Sequence, residues 1–528
     1  MFSKTGEFTV SKKQTLIVLA VLYLFTLGIR IYWFSQKNEF HMDEVLNVQL
    51  ACCNSWDNWN YADNRGYTGK EAKEAVLSCK HAVLSDIYHL WHDSKDWAHT
   101  NLYYSLFRIS LTGLDSVDLK PIVLRAGILN ASLFTLSFIF FFLLVRLLFP
   151  EAPLLQLTAT FCAFLSTATI SSTLFFRAYQ MQEASFIVFC YCFFKTLDRD
   201  KYIVRNGKAR VDVKLLIVSV LATAFALLSG YFSIFFIGLF GLYAIFHKVK
   251  TRRGKEIFFY TAVLCIAVLF SQIFYLRYLH GYFSFSAADV ASLSPIKQYG
   301  THVFEIINNY SAFLKTIVVS HYLEHFIVTV LAVCLVFVCR RRKFLMQRNA
   351  LFIFSAALLY FVVILFIAPI KELRYIMPVF PFFILLPSVI IYALGKQKAA
   401  VIVMMLFCLL FAGKAFQRSE IVYLISADTY PFRKDPAVPV FIFSKAPWKY
   451  SDLVGWFADD QMYYFNNPGA FDLKDQKEAY LVIEKTDGML NPLTLPQVEV
   501  EQLFTSGYFV GVKVRPYSRL RPQSSPAK

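Results

Sequence analysis

QTLIVLAVLYLFTLGIRIYWFSQKNEFHMDE, residues 14–44, opens on an apolar run and closes on an acidic pair. The run covers about residues 14–34. At about 1.5 Å per residue it is long enough to cross the hydrocarbon of a bilayer as an α-helix. It is too long for the apolar core of a cleavable signal, and no small-residue cleavage site follows, so it reads as an anchor. Asp43 and Glu44 then stand where the chain leaves the membrane. Ionisable groups at a membrane boundary are functional candidates before any other residue is read.

Working outward, further apolar runs recur near 122–148, 154–176, 181–197, 213–230, 231–247, 256–277, 319–339, 350–368, 374–394 and 399–416. With the first this makes about eleven spans, the fourth being the shortest. Composition agrees: 57% of the 528 residues are hydrophobic and mean hydropathy is +0.49, too apolar for a soluble chain of this length. The runs are continuous and do not alternate, which excludes a β-barrel.

The net charge of +17 raises nucleic acid as a partner. Its placement argues for the positive-inside pattern instead. Lys4, Lys12 and Lys13 put the N-terminus on the cytoplasmic side. Residues 195–214 carry seven Lys/Arg, residues 247–255 five, residues 340–348 five and residues 395–398 two, and all four loops then fall inside. No nucleic-acid partner is expected. The outer side receives a long first loop, about 35–120, a smaller loop near 278–315, and the tail after about 417.

Three domains follow from this count. Residues 1–417 form a membrane domain that includes the first loop, 418–516 a small extracytoplasmic α/β domain, and 517–528 a disordered tail. In the loop, 71–92 place Val76, Leu77, Val83, Leu84, Ile87, Leu90 and Trp91 at helical spacing, an amphipathic helix suited to the membrane surface. A second such helix is expected over 43–56. In the tail, 436–443 and 478–484 read as strands, with turn signals at Asn467-Pro468-Gly469 and Thr486-Asp487-Gly488. Two more strands are expected over 499–504 and 508–514. No nucleotide-binding or catalytic signature is visible there, and no internal repeat is found.

Most of the ten cysteines lie in spans and serve packing. Cys52, Cys53 and Cys79 lie in the first loop, where one of the first two would pair with Cys79 on an oxidising side. Cys52, Cys53 and His41 match no standard zinc spacing.

Polar residues gather at the outer ends of the spans. Asp43 and Glu44 follow the first; His99, Tyr103 and Tyr104 lead to the second, which Arg125 opens. Arg177, Tyr179 and Glu183 join the third to the fourth, and Arg374 and Tyr375 join the ninth to the tenth. Carboxylates beside cations suit group transfer from a lipid phosphate to a hydroxyl. A carboxylate takes the hydroxyl proton, and arginine stabilises the departing phosphate. Simpler roles compete. Acids in a first turn cap a helix, and arginines and tyrosines at span ends anchor at the interface.

The order of these residues resembles the type C glycosyltransferases (GT-C) of the protein mannosyltransferase and lipid A aminoarabinose transferase group. It runs through the acidic pair, His99-Thr-Asn-Leu-Tyr-Tyr104, Leu124-Arg125, Arg177-Ala-Tyr179 and Arg374-Tyr-Ile-Met-Pro-Val-Phe-Pro381. The resemblance covers about residues 14–395. It implies an inverting membrane enzyme that moves a sugar from a polyprenyl-phosphate carrier to a glycan, lipid or protein hydroxyl. The reaction would take place on the extracytoplasmic face of the plasma or inner membrane, as part of building the cell envelope.

By the same resemblance Asp43 is the catalytic base or a metal ligand, with Glu44 able to exchange roles with it. His99 stands near the phosphate and is a second candidate ligand for a divalent ion such as Mg, Mn or Zn. Arg374 faces the carrier, and Glu183 is the nearest match to a second family acid. Tyr103, Arg125, Arg177, Tyr179 and Tyr375 complete the expected substrate contacts. The family often has Pro-Pro where this chain has Thr100-Asn101, which alters the backbone beside His99. A transporter or lipid flippase is the alternative from another class, and a scaffold or receptor using the outer tail is a third.

Overall fold

In a computed structural model the described residues are 11–37, 39–52, 61, 65–79, 81–92, 100–114, 118–197, 199, 202–205, 208–280, 327, 329–330, 333, 347–367, 373–394, 398–424, 435–444, 447–466, 477–485, 498–505 and 509–516. His99, most of the eighth expected span at 319–339 and the tail at 517–528 lie outside them.

The helices in chain order are α1 (Lys12–Ser35), α2 (Met42–Ala51), α3 (Gly69–Leu77), α4 (Val83–His92), α5 (Leu102–Ser110), α6 (Leu119–Leu148), α7 (Pro153–Leu165), α8 (Thr167–Leu174), α9 (Tyr179–Leu197), α10 (Val213–Leu227), α11 (Ser233–Lys250), α12 (Ile257–Phe274), α13 (Arg348–Ile367), α14 (Leu385–Leu394) and α15 (Lys398–Ala415). The strands are β1 (Gly66–Thr68), β2 (Tyr202–Arg205), β3 (Lys208–Val211), β4 (Val440–Phe443), β5 (Met462–Asn466), β6 (Ala479–Glu484), β7 (Val498–Thr505) and β8 (Phe509–Pro516). The chain is a mostly helical membrane protein with a small sheet near its C-terminus.

The expected spans that fall on described residues coincide with helix, and all but the fourth, on α9, with apolar helix. Among the described residues four helices are long and apolar enough to cross a membrane alone: Lys13–Ser35, Leu119–Leu148, Ser233–Lys250 and Ile257–Phe274. The expected third span is a bent pair, α7 and α8, meeting at 56°. Ser166 makes the break. Its backbone is extended, at φ −62° and ψ 138°, and its hydroxyl accepts the Thr169 N–H to start α8. The expected tenth span begins as a 3₁₀ helix, Met377–Ile384, and continues as α14. Pro381 within it has no N–H to give, which disfavours regular α-helix there.

The chain divides into two compact units. The first comprises Met1–Gln36, Ile87–Ser110 and Leu124–Tyr423. Its interior is aromatic: Phe186 stacks on Phe236 at 4.5 Å between ring centres, and Phe134, Phe138 and Phe164 interlock at 5.5–6.0 Å. The basic loop at 195–214 holds a hairpin, β2 against β3.

The second unit comprises Lys37–Asp86, Leu111–Val123 and Leu424–Lys528. Its six-stranded sheet has the order β1-β5-β4-β6-β8-β7, with β4 parallel to β5 and β6 and the other pairs antiparallel. Phe441, Phe443, Leu481, Ile483, Val512 and Val514 form an apolar core against it.

Strand β1, from the first loop, pairs with β5 of the tail, Tyr67 opposite Tyr463. Gly69 comes so close to this segment that an added Cβ would stand 1.9 Å from the Ala458 carbonyl oxygen, which is why glycine is needed there. The expected amphipathic helix over 71–92 is two helices, α3 and α4. Ser78 ends α3 in extended backbone, and Cys79 is disulfide-bonded to Cys52 at the end of α2.

Candidate active site

In the second unit the acidic pair sits in the first turn of α2. His41 is the N-cap: its Nδ1 accepts the Asp43 N–H at 3.2 Å, while Glu44 Oε2 accepts the His41 N–H at 2.8 Å. Glu44 also pairs with Lys37 Nζ at 2.9 Å, and both side chains are fully buried. The Glu44 carboxylate is thus committed to a capping box and an internal ion pair. Asp43 points elsewhere. Its Oδ2 lies 3.4 Å from His41 Nδ1, its side chain keeps 11% exposure, and the helix N-terminus favours its charge.

A further carboxylate comes from the tail. Asp452 ends a 3₁₀ helix, Pro447–Asp452, in the same unit. Burial holds its carboxyl above the ordinary aspartate range, and the neighbouring His41 opposes that shift. Gly455 lets the following segment close on residues 39–40, since an added Cβ would lie 2.7 Å from Glu39 Oε2.

The first unit holds the cations. Arg177 and Arg374 are buried, at 9% and 6% exposure. Arg177 lies on the reversal between α8 and α9, its N–H donating to the Phe175 carbonyl at 2.8 Å. Arg374 lies in a single 3₁₀ turn, Leu373–Tyr375. Aromatic rings join the two segments: Tyr179 meets Tyr375 edge to face at 6.0 Å, Phe232 meets Tyr375 at 6.1 Å, and Phe175 lies parallel to Tyr179 at 5.8 Å. The Arg374 guanidinium stands 5.2 Å from the centre of the Tyr375 ring, and that of Arg177 stands 6.0 Å from Tyr104. Two buried cations, from chain segments far apart in sequence, thus stand beside tyrosine rings.

Three other expected contacts have surroundings of their own. Arg125 is on the exposed face of α6 beside Leu124 and Ile128, a position that suits an interfacial anchor. Tyr103 is fully buried and its hydroxyl donates to Asn130 Oδ1 at 2.9 Å. Glu183 is fully buried too, its Oε1 accepting from Gln180 Nε2 at 2.9 Å.

No protein-family model and no curated protein matches the sequence. Among solved structures the chain is similar to ArnT from Cupriavidus metallidurans bound to undecaprenyl phosphate. The identity is 12%, over 95% of this chain and 98% of that one, with a TM-score of 0.46. It is similar also to the same protein in the apo state, at 12% identity over 94% and 97% of the two chains, with a TM-score of 0.45. No residue role is carried over from that likeness.

The sequence reading missed several buried polar side chains: Lys37, Arg108, Asn130 and Arg30. Arg30 is fully buried in α1. Its Nε donates to Thr173 Oγ1 at 3.0 Å and its Nη1 to the Phe164 carbonyl at 2.9 Å, with the guanidinium 3.8 Å from the centre of the Phe134 ring. For Arg30 and Asn130 a cation or amide inside an apolar run was the available signal. For a metal, no three His, Cys, Asp or Glu side chains converge among the described residues.

Proposed function

We propose that the protein is an integral-membrane glycosyltransferase that takes a sugar from a polyprenyl-phosphate carrier and places it on a hydroxyl at the extracytoplasmic face. The observation that supports this reading is the burial of two arginines, Arg177 and Arg374, on segments far apart in sequence. Both are buried, and the Tyr179–Tyr375 contact joins their segments. The Cys52–Cys79 disulfide supports an oxidising side for the second unit.

Roles are assigned residue by residue. Asp43 is the base: its carboxylate takes the proton of the acceptor hydroxyl as the oxygen attacks the anomeric carbon. The bond between that carbon and the phosphate oxygen breaks with its electron pair, so configuration inverts and polyprenyl phosphate departs. In the first unit, Arg177 and Arg374 are the residues proposed to bind the carrier phosphate. Glu44 fixes the start of α2 and so the aim of Asp43.

The test is carrier binding. Undecaprenyl phosphate and uncharged undecaprenol are titrated into the protein in nanodiscs. The phosphate should bind more tightly than the alcohol, and Arg177→Ala or Arg374→Ala should each weaken only the phosphate, by about tenfold or more. Equal binding of the two lipids by the wild type contradicts the reading.

One observation favours a transporter: the buried chain of Arg30, Thr173, Gln180 and Glu183 within the helices. Substrate flux into reconstituted vesicles with no glycosylated product would support that class.

A further inference from the structure

The reversal that carries Arg177 is held by a residue to which nothing so far gives a role. As α8 ends, its last carbonyls lose their helical donors. Two of them are taken over by one side chain: Asn130 Nδ2, from α6, donates to the Thr173 carbonyl at 2.9 Å and to the Phe175 carbonyl at 3.1 Å. The Phe175 carbonyl also accepts the Arg177 N–H at 2.8 Å, so Asn130 and the Arg177 backbone share one acceptor. Asn130 is itself oriented. Tyr103, from α5, donates its hydroxyl to Asn130 Oδ1 at 2.9 Å, which leaves the amide nitrogen facing the two carbonyls.

A second tie closes the same reversal from its other side. Thr173 Oγ1 donates to Gln180 Oε1 at 2.7 Å, across the turn from α8 to α9. Gln180 Nε2 passes the link to Glu183, and Arg30 Nε supplies Thr173 from α1. Every side chain in these ties is fully buried. In a low-dielectric interior such bonds are stronger than in water, and exchange for a water partner is not at hand.

We infer that Asn130, oriented by Tyr103, is a positioning residue that sets the direction of Arg177 toward the carrier phosphate. The inference rests on the reading that Arg177 binds that phosphate. It also gives Tyr103 a role inside the protein in place of a direct substrate contact.

The experiment is the same pair of titrations, undecaprenyl phosphate against undecaprenol, in nanodiscs and below the melting transition. The variants are Asn130→Ala, Tyr103→Phe, Arg177→Ala and the double variant Asn130→Ala with Arg177→Ala. A merely structural loss weakens both lipids alike, whereas a misdirected Arg177 weakens only the phosphate. Asn130→Ala should lose about fivefold or more of the preference for phosphate over alcohol, and Tyr103→Phe a smaller part of it. The double variant should match Arg177→Ala alone, because both changes remove one interaction.

Wild-type preference in both Asn130→Ala and Tyr103→Phe overturns the inference, as does a double variant whose loss is the product of the two single losses. Should Asn130→Ala fail to fold, Tyr103→Phe, which keeps the ring and removes only the hydroxyl, decides by itself. Unchanged preference in Arg177→Ala would sink the functional reading and this inference together. A loss in Arg177→Ala without one in the Asn130 and Tyr103 variants sinks the inference alone.

Discussion

Asp43 and Glu44 are neighbours of the same chemical type with different surroundings. Sequence could place the pair at the end of the first span but could not divide its roles, because division depends on Lys37 and His41 as they meet in space. Glu44 takes two charge-assisted bonds in a dry interior, and removing one partner of such a pair typically costs about 3–5 kcal/mol. Glu44→Gln should therefore lower the thermal unfolding transition, followed by intrinsic fluorescence, while Asp43→Asn leaves it near the wild-type value. Replacing Lys37 and Glu44 together with Met and Leu should recover much of the loss. A Glu44→Gln protein as stable as wild type would remove the structural role.

Asp452 carries a pH signature. Its folded-state pKa is raised, so in the window above the ordinary aspartate value the folded protein holds a proton that the unfolded chain has released. Stability contributed there is present at low pH and falls as pH rises through the folded pKa. Asp452→Asn should accordingly raise the melting temperature of the protein near pH 7, and that advantage should shrink as pH falls toward about 4. An advantage that grows on acidification would reverse the sign and refute the assignment to burial.

At the scale of elements, the apolar helices were legible because length and continuity of hydropathy suffice for them. The bend between α7 and α8 was not legible, since it turns on the backbone of one serine, Ser166. Strand β1 was hidden for another reason: it has three residues, and its partner β5 lies almost 400 residues later. The hairpin β2–β3 did have a local signal, the Asn206-Gly207 dipeptide between two short β-prone runs, which charge counting passed over. Cys52 and not Cys53 pairs with Cys79, at a sequence separation of 27, and so fixes the C-terminal end of the helix that carries Asp43. Closing a loop of that length is worth about 3–4 kcal/mol on the chain-entropy account. Cys52→Ser with Cys79→Ser should lower stability by that order in denaturant unfolding, and a double variant indistinguishable from wild type would show that the bridge constrains little.

For the whole molecule, the positive-inside count gave a direction to every basic loop, and the two compact units show what that count could not. The first loop and the tail form one unit, while the cation cluster lies in the other. The residues proposed to act were visible only as types in order along the chain: Asp43 in the second unit, and Arg177, Tyr179, Arg374 and Tyr375 in the first. Their supports were not, since Asn130, Arg30 and Lys37 are isolated polar residues whose meaning comes only from carbonyls and carboxylates brought to them by folding.

The central claim is that a carboxylate at position 43 removes a proton during sugar transfer. The direct measurement compares, by mass spectrometry, the envelope glycans and glycoproteins of cells carrying the wild-type protein, the Asp43→Asn variant, or no copy of the gene. The account predicts one sugar residue of defined mass present with the wild type and missing from both other strains, with the variant protein folded and inserted at the wild-type level. Wild-type amounts of that sugar with Asp43→Asn, or no difference between the wild type and the strain lacking the gene, would contradict it.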